Sequence, residues 1–156
     1  MKTAQEWLDA YGESHRNPTN KALHWVCIPL IMWSLVALIA HIPLPTALSA
    51  LGLDAAAIFL ALVSLYYLRL SRPLAFGMIA LSGALWWLTR ALSAWLPGSM
   101  TLWQAALWVF VGAWVGQFIG HKIEGKKPSF FEDLQYLLIG PMWLLSALYR
   151  RLGVGI

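Results

Sequence analysis

The sequence predicts an all-α integral membrane protein: a bundle of about four transmembrane helices, with an N-terminal amphipathic helix and a C-terminal interfacial or re-entrant helical hairpin. Three observations predict it. Hydrophobic residues make up 60% of the 156 and charged ones only 12%, too apolar a mix for a chain of this size to hide in a soluble core. Four apolar stretches follow one another, each about the ~20 residues that cross a hydrocarbon layer. The basic residues fall, with one exception, in alternate inter-segment stretches, as cytoplasmic loops do.

The elements follow in order. Thr3-x-x-Glu6 reads as a capping box, the hydroxyl and the carboxylate each meeting a backbone N–H left bare at a helix start. A short helix then runs to about Ser14. In it Trp7, Leu8, Tyr11 and His15 recur at three- and four-residue spacing and share one stripe, while Glu6, Asp9 and Glu13 fall mostly elsewhere. This is the pattern of a helix lying in the membrane interface. Asn17-Pro18 pairs an N-cap with proline at the first helical position, where its missing N–H costs nothing. The next helix therefore starts at Pro18, leaving His15 in the bend and His24 about two turns in.

From Leu23 to Leu53 there is no Asp, Glu, Lys or Arg. Pro43 and Pro45 end a first span of about 21–40, which Pro29 should kink. The second span is about 47–70, closed by Arg69 and Arg72. The third is about 73–96, closed by Pro97-Gly98, and the fourth about 100–120. The last apolar run, 134–149, contains Gly140-Pro141 and ends in Arg150-Arg151. A fifth span would carry that arginine pair to the wrong side, so an interfacial or re-entrant hairpin is expected instead. No internal repeat divides residues 1–156, which read as one membrane-embedded domain.

Charge sets the orientation. Lys2, Arg16 and Lys21 precede the first span, Arg69 and Arg72 separate the second from the third, and Lys122, Lys126 and Lys127 follow the fourth. The N-terminus is therefore expected on the cytoplasmic face. Arg90, inside the third span, should snorkel outward or pair with Asp54. The net charge of +4 is spread over several loops, which favours anionic membrane lipid over nucleic acid as a partner. The lone Cys27 cannot form an intramolecular disulfide and reads as a small buried apolar residue. The short loops lean towards a bacterial inner membrane rather than an endoplasmic reticulum.

The few polar groups able to do chemistry are confined to two short stretches. The topology puts His15, His24, Gln117, His121 and Glu124 at one membrane level, although about a hundred residues separate the two groups. Gln117, His121 and Glu124 lie four and three apart and form one helical stripe, as side chains reaching for a common ion must. Imidazole and carboxylate suit Fe(II), Zn or Mn, and two or three histidines with one carboxylate leave positions open for O2 and a substrate. The bland alternative makes each an interfacial histidine bonded to backbone or water. His41 lies at the far end of the first span and is assigned to the opposite interface. Gly112, Gly116 and Gly120 repeat every four residues, a ridge for packing the fourth span on the first or for a homodimer contact. The ten tryptophans read as a lipid-facing and interfacial belt.

The run YGESHRNPTNKALHWVCIP, followed after four spans by QFIGHKIEGKKPSFFEDLQYLLIGP, closely resembles the Mpo1-like family over essentially the whole chain. The resemblance implies a membrane-embedded Fe(2+)-dependent dioxygenase of fatty acid alpha-oxidation, whose partners are a 2-hydroxy fatty acid and O2. It implies His15, His24 and His121 as metal ligands, with Tyr11, Asn17, Asn20 and Gln117 as motif neighbours. Here Glu124 follows His121 by three residues rather than the four of the yeast-type pattern, so its place as a ligand is provisional. Lys126, Lys127 or Arg16 would attract the substrate carboxylate. The alternative class is a membrane metal- or heme-binding or transport protein without catalysis.

Overall fold

The computed structural model describes residues 2–95, 101–131 and 134–156, and among these every regular element is helical. The first, α1 (Ala4–Gly12), opens on the expected capping box: Thr3 N donates to Glu6 Oε2 at 2.6 Å, and Glu6 N donates to Thr3 Oγ1 at 3.2 Å. Helix α2 (Pro18–Ala40) starts as its Asn-Pro signature requires. The Asn17 side chain accepts from Thr19 N at 2.9 Å and from Asn20 N. After α3 (Thr46–Ser49) come α4 (Ala55–Leu70), α5 (Arg72–Trp95) and α6 (Leu102–Glu124). Gly125, at φ 74°, lets Lys126 N fold back onto the His121 carbonyl and end α6. A 3-10 turn (Ser129–Phe131) leads into α7 (Tyr136–Arg151).

Three of these helices, α2, α5 and α6, are long and apolar enough to cross a membrane. The expected second span is divided. Residues 46–54 hold the short α3 and a turn at Gly52, φ 75°. Asp54 then accepts from Ala57 N at 2.8 Å and starts α4 afresh. With 16 residues, α4 is about 24 Å long, short of the ~30 Å hydrocarbon core. Pro97-Gly98, expected to close the third span, and Met100, expected to start the fourth, lie outside the described residues.

The C-terminal segment corrects the expectation of a hairpin. Helix α7 runs unbroken through Gly140-Pro141. Proline removes the bond to the residue 137 carbonyl and crowds that turn, but the Tyr67 hydroxyl donates to the nearby Leu138 carbonyl at 2.8 Å. Gly140 adds the close fit: a Cβ there would stand 2.9 Å from the Tyr11 hydroxyl oxygen.

Helix α2 is the hub. It packs most extensively on α6 and also touches α4, α5 and α7. A Cβ at Gly116 would strike Cys27 Sγ, and one at Gly120 would strike the Asn20 side chain, whereas Gly112 faces open space. Gly116 and Gly120 are thus taken up by the α2–α6 contact, and the three glycines do not form one ridge for a homodimer. Helix α1 lays its stripe on α7 rather than on lipid: Trp7, Leu8 and Tyr11 pack with Tyr136, Ile139 and Met142. Burying each such side chain is worth about 1.5–3 kcal/mol, enough to fix α1 as a roof over that end of the bundle. Trp87, Trp95 and Trp108 are exposed on the outside, as a lipid-facing belt would be.

Candidate metal centre

Each of the three buried histidines is aimed by its own local structure. His15 sits in the bend after α1. Its Nδ1–H donates to the Tyr11 carbonyl at 2.6 Å, since a carbonyl can only accept, and its ring stacks on Tyr11 with centroids 4.1 Å apart. His24, two turns into α2, donates from Nδ1 to the Asn20 carbonyl at 2.9 Å. These bonds fix both tautomers and leave each Nε2 with a bare lone pair. His121 comes from the last turn of α6, where Gly120 admits the Asn20 side chain of α2.

The rings converge. Centroid separations are 4.3 Å for His15–His24, 4.9 Å for His24–His121 and 5.0 Å for His15–His121, all edge-to-face. One ring nitrogen from each lies within 4.8 Å of the others, so small ring rotations bring all three onto a common ion. His15 Nε2, His24 Nε2 and His121 Nδ1 are buried without a hydrogen-bond partner. Three unpartnered polar atoms at one point are costly in an apolar interior, and a cation that accepts their lone pairs removes that cost. Burial drives the His15 pKa down to about 4, with His121 adding to the fall and Glu124 opposing it. The ring is therefore neutral near pH 7, as a metal ligand must be. Imidazole donors suit Zn, Cu, Fe or Ni.

Glu124 is not part of this cluster. Its carboxylate accepts Arg16 N at 2.9 Å, Asn17 N at 2.8 Å and Asn20 Nδ2 at 3.1 Å. It therefore ties the end of α6 to the start of α2, where the helix dipole also favours an anion. Asn20 continues the tie by donating to the Ser14 carbonyl at 3.1 Å. The two asparagines of the first motif thus hold backbone and carboxylate. Lys126 Nζ donates to the Glu13 carbonyl at 3.0 Å on the surface. None of Arg16, Lys126 and Lys127 lines the cavity described next.

Tyr11, Gln117, His121 and Ser129 stand at one end of an apolar cavity of about 210 Å³ that continues between α2, α4, α5 and α6. Sequence reasoning placed Tyr11 and Gln117 beside the histidines but missed two contributors. Ser129 Oγ bonds Ser14 Oγ at 2.7 Å and pins the 3-10 turn over the bend. Trp143 of α7 packs its ring 5.4 Å from that of His15. Ser129 lies within the second motif run, whereas Trp143 lies beyond it, and both act by contact with a distant segment.

A family model described as 2-hydroxy-palmitic acid dioxygenase Mpo1-like matches residues 1–152. The 2-hydroxy-palmitic acid dioxygenase MPO1 of Saccharomyces cerevisiae is 26% identical over 148 residues, covering 94% of this chain and 79% of the relative. No solved structure matches the chain.

Proposed function

This chain belongs to the Mpo1-like family, and from that membership we propose that it is an Fe(II)-dependent dioxygenase that shortens 2-hydroxy fatty acids by one carbon. The observation that carries the proposal is the convergence of three buried imidazoles, each with an unpartnered nitrogen, one of which, His121, also lines an apolar cavity. His15, His24 and His121 would hold the iron. Bound there, the iron would supply O2 activation and Lewis-acid binding of the acidic end of the substrate. The reaction balances without a co-substrate: a 2-hydroxy acid and O2 give the shorter acid, CO2 and water, all the electrons coming from the two terminal carbons.

The chain's own residues do the rest. The Tyr11 hydroxyl, whose pKa burial raises, stays protonated and donates to the substrate's acidic end. The Gln117 amide, one helical turn before His121, lines the same end and offers both a donor and an acceptor. The roof of α1 and α7 keeps bulk water off the histidines, and Glu124 holds the bend that carries His15. By the basic-loop pattern this end faces the cytoplasm, and the membrane is a bacterial inner membrane. The lysines and Arg16 gather anionic lipid and fatty acid at that surface.

The test is to purify the protein anaerobically, measure bound iron and follow O2 and 2-hydroxypalmitate consumption. Wild type should bind iron and release the acid one carbon shorter, and His121→Ala should do neither. Iron-loaded protein that leaves every 2-hydroxy acid untouched would sink the enzyme reading in favour of metal binding or transport.

A further inference from the structure

We propose that the closed end of the apolar cavity measures the acyl chain, so that Phe110, Leu60 and Ser82 set which chain length the enzyme accepts. This rests on the proposed 2-hydroxy acid reading for its ligand, but the geometry stands by itself. On α6 the cavity lining extends from His121 to Phe110, eleven residues or about 16 Å along the axis. On α2 it reaches Val36, twelve residues past His24 or about 18 Å. Helix α4, running the opposite way to α2, contributes Phe59 and Leu60, and α5 contributes Ser82, ten residues past its start. Four helices thus stop lining the cavity at about the same depth.

Three small buried residues lie just beyond that depth. Ala37, Ala56 and Ala106 are each 0% exposed. Small residues let helices approach closely in an apolar medium, and these three lie one, three and four residues beyond the last lining residues of α2, α4 and α6, where the proposal puts the floor of the slot. An apolar chain anchored by its carboxylate end at His121 therefore runs down a slot with a fixed floor. Ser82 is almost fully buried and its small side chain leaves room where a larger one would fill the slot. Phe110 does the reverse, and its removal deepens the slot.

The experiment compares turnover of 2-hydroxylaurate, 2-hydroxypalmitate and 2-hydroxystearate by the iron-loaded full chain, as wild type, Ser82→Leu and Phe110→Ala. The ratio of kcat/KM for the short against the long acid should rise at least ~10-fold in Ser82→Leu and fall by a similar factor in Phe110→Ala, the range a methylene commands in a fitted apolar pocket. Leu60→Ala carries the same expectation as Phe110→Ala and replaces it if that variant does not fold. Leu62→Ala, on the outer face of α4, should leave the ratio unchanged.

A second arm measures displacement of a bound fluorescent fatty acid from iron-free protein by laurate, palmitate and stearate. If affinity shows a length optimum that moves oppositely in the two variants while nothing is turned over, the gauge stands and the dioxygenase reading falls. Turnover with a ratio that stays within ~2-fold in both variants, or moves the same way in both, overturns the gauge and leaves the dioxygenase reading intact.

Discussion

The two ends of the bundle use the same local chemistry to different effect. His15, His24 and His41 each bond from Nδ1 to the carbonyl four residues earlier, at 2.6, 2.9 and 2.7 Å. At His41, exposed where α2 ends, nothing follows from it: no other imidazole joins it among the described residues. At the other end the same bond aims two rings at a third from a helix about a hundred residues away. The acids differ in the same way. Asp54 caps its own helix and meets Trp86 and Arg90, whereas Glu124 takes three donors from the bend and start of α2. A ring-aiming hydrogen bond is common property of helical histidines. Convergence of distant segments is what makes a site.

The largest effect should come from breaking the convergence while leaving the local bond type in place elsewhere. His24→Ala removes a ligand, so iron affinity should fall by more than the ~10–100-fold that loss of a supporting partner costs. His41→Ala should keep iron content and turnover within ~2-fold, as surface changes do. Metal analysis of the two purified variants side by side checks this. A His41 variant that loses iron would mean that the two ends are not distinct.

Next comes Glu124→Gln, which keeps the shape but turns one acceptor into a donor facing backbone N–H groups. The bend carrying His15 should loosen and iron affinity drop ~10–100-fold, read by competition with a chelator. Asp54→Asn at the other end should leave that affinity unchanged. Equal losses from both would show that Glu124 contributes stability and no positioning.

Acid should act on the histidine end in particular. The His15 pKa lies at about 4 in the folded chain against ~6.5 unfolded. Above ~6.5 the ring is neutral in both states and titration costs nothing. As pH falls below that, the unfolded chain takes up a proton that the folded chain refuses, so stability declines until about 4. The loss from this ring alone is at most ~3 kcal/mol. Denaturant midpoints of iron-free protein between about pH 7 and pH 4 should fall, and His15→Gln should flatten the slope; equal slopes in both proteins would remove His15 as the cause.

How much of this was legible follows from where the polar residues are. In an apolar chain a capping box, an Asn-Pro start or a histidine stands out, so α1, the start of α2 and the three-histidine cluster could be read directly. Residues 46–54 could not: apolar composition fits helix and turn alike, and only the left-handed Gly52 and the Asp54 cap split the expected span. The unbroken α7 was hidden for a similar reason. Whether Gly140-Pro141 breaks a helix depends on neighbours, here Tyr67 and Tyr11, that no local pattern reveals. The glycine spacing suggested a ridge, but which two of the three glycines face α2 is a matter of rotation about α6. The acyl slot, made of ordinary apolar residues from four helices, left no mark in the sequence.

The smallest effect should come from the ion pair at the far end. Arg90 and Asp54 meet at 3.5 Å, with the arginine side chain 55% exposed. Asp54 is held independently by Trp86 Nε1 at 2.9 Å and by its cap on α4. A long, solvated contact with one partner already satisfied should couple by no more than ~0.5 kcal/mol. A double-mutant cycle of Arg90→Met and Asp54→Asn, read from unfolding midpoints, measures that coupling directly. Asp54→Asn alone should cost more than Arg90→Met alone, because it also weakens the cap and the indole bond. A coupling of ~2 kcal/mol or more would require a pair withdrawn from water and dependent on its partner. The far end would then depend on a buried charge between helices as well as on the Trp86 bond, and the contrast between the two ends would rest on the metal ligands alone.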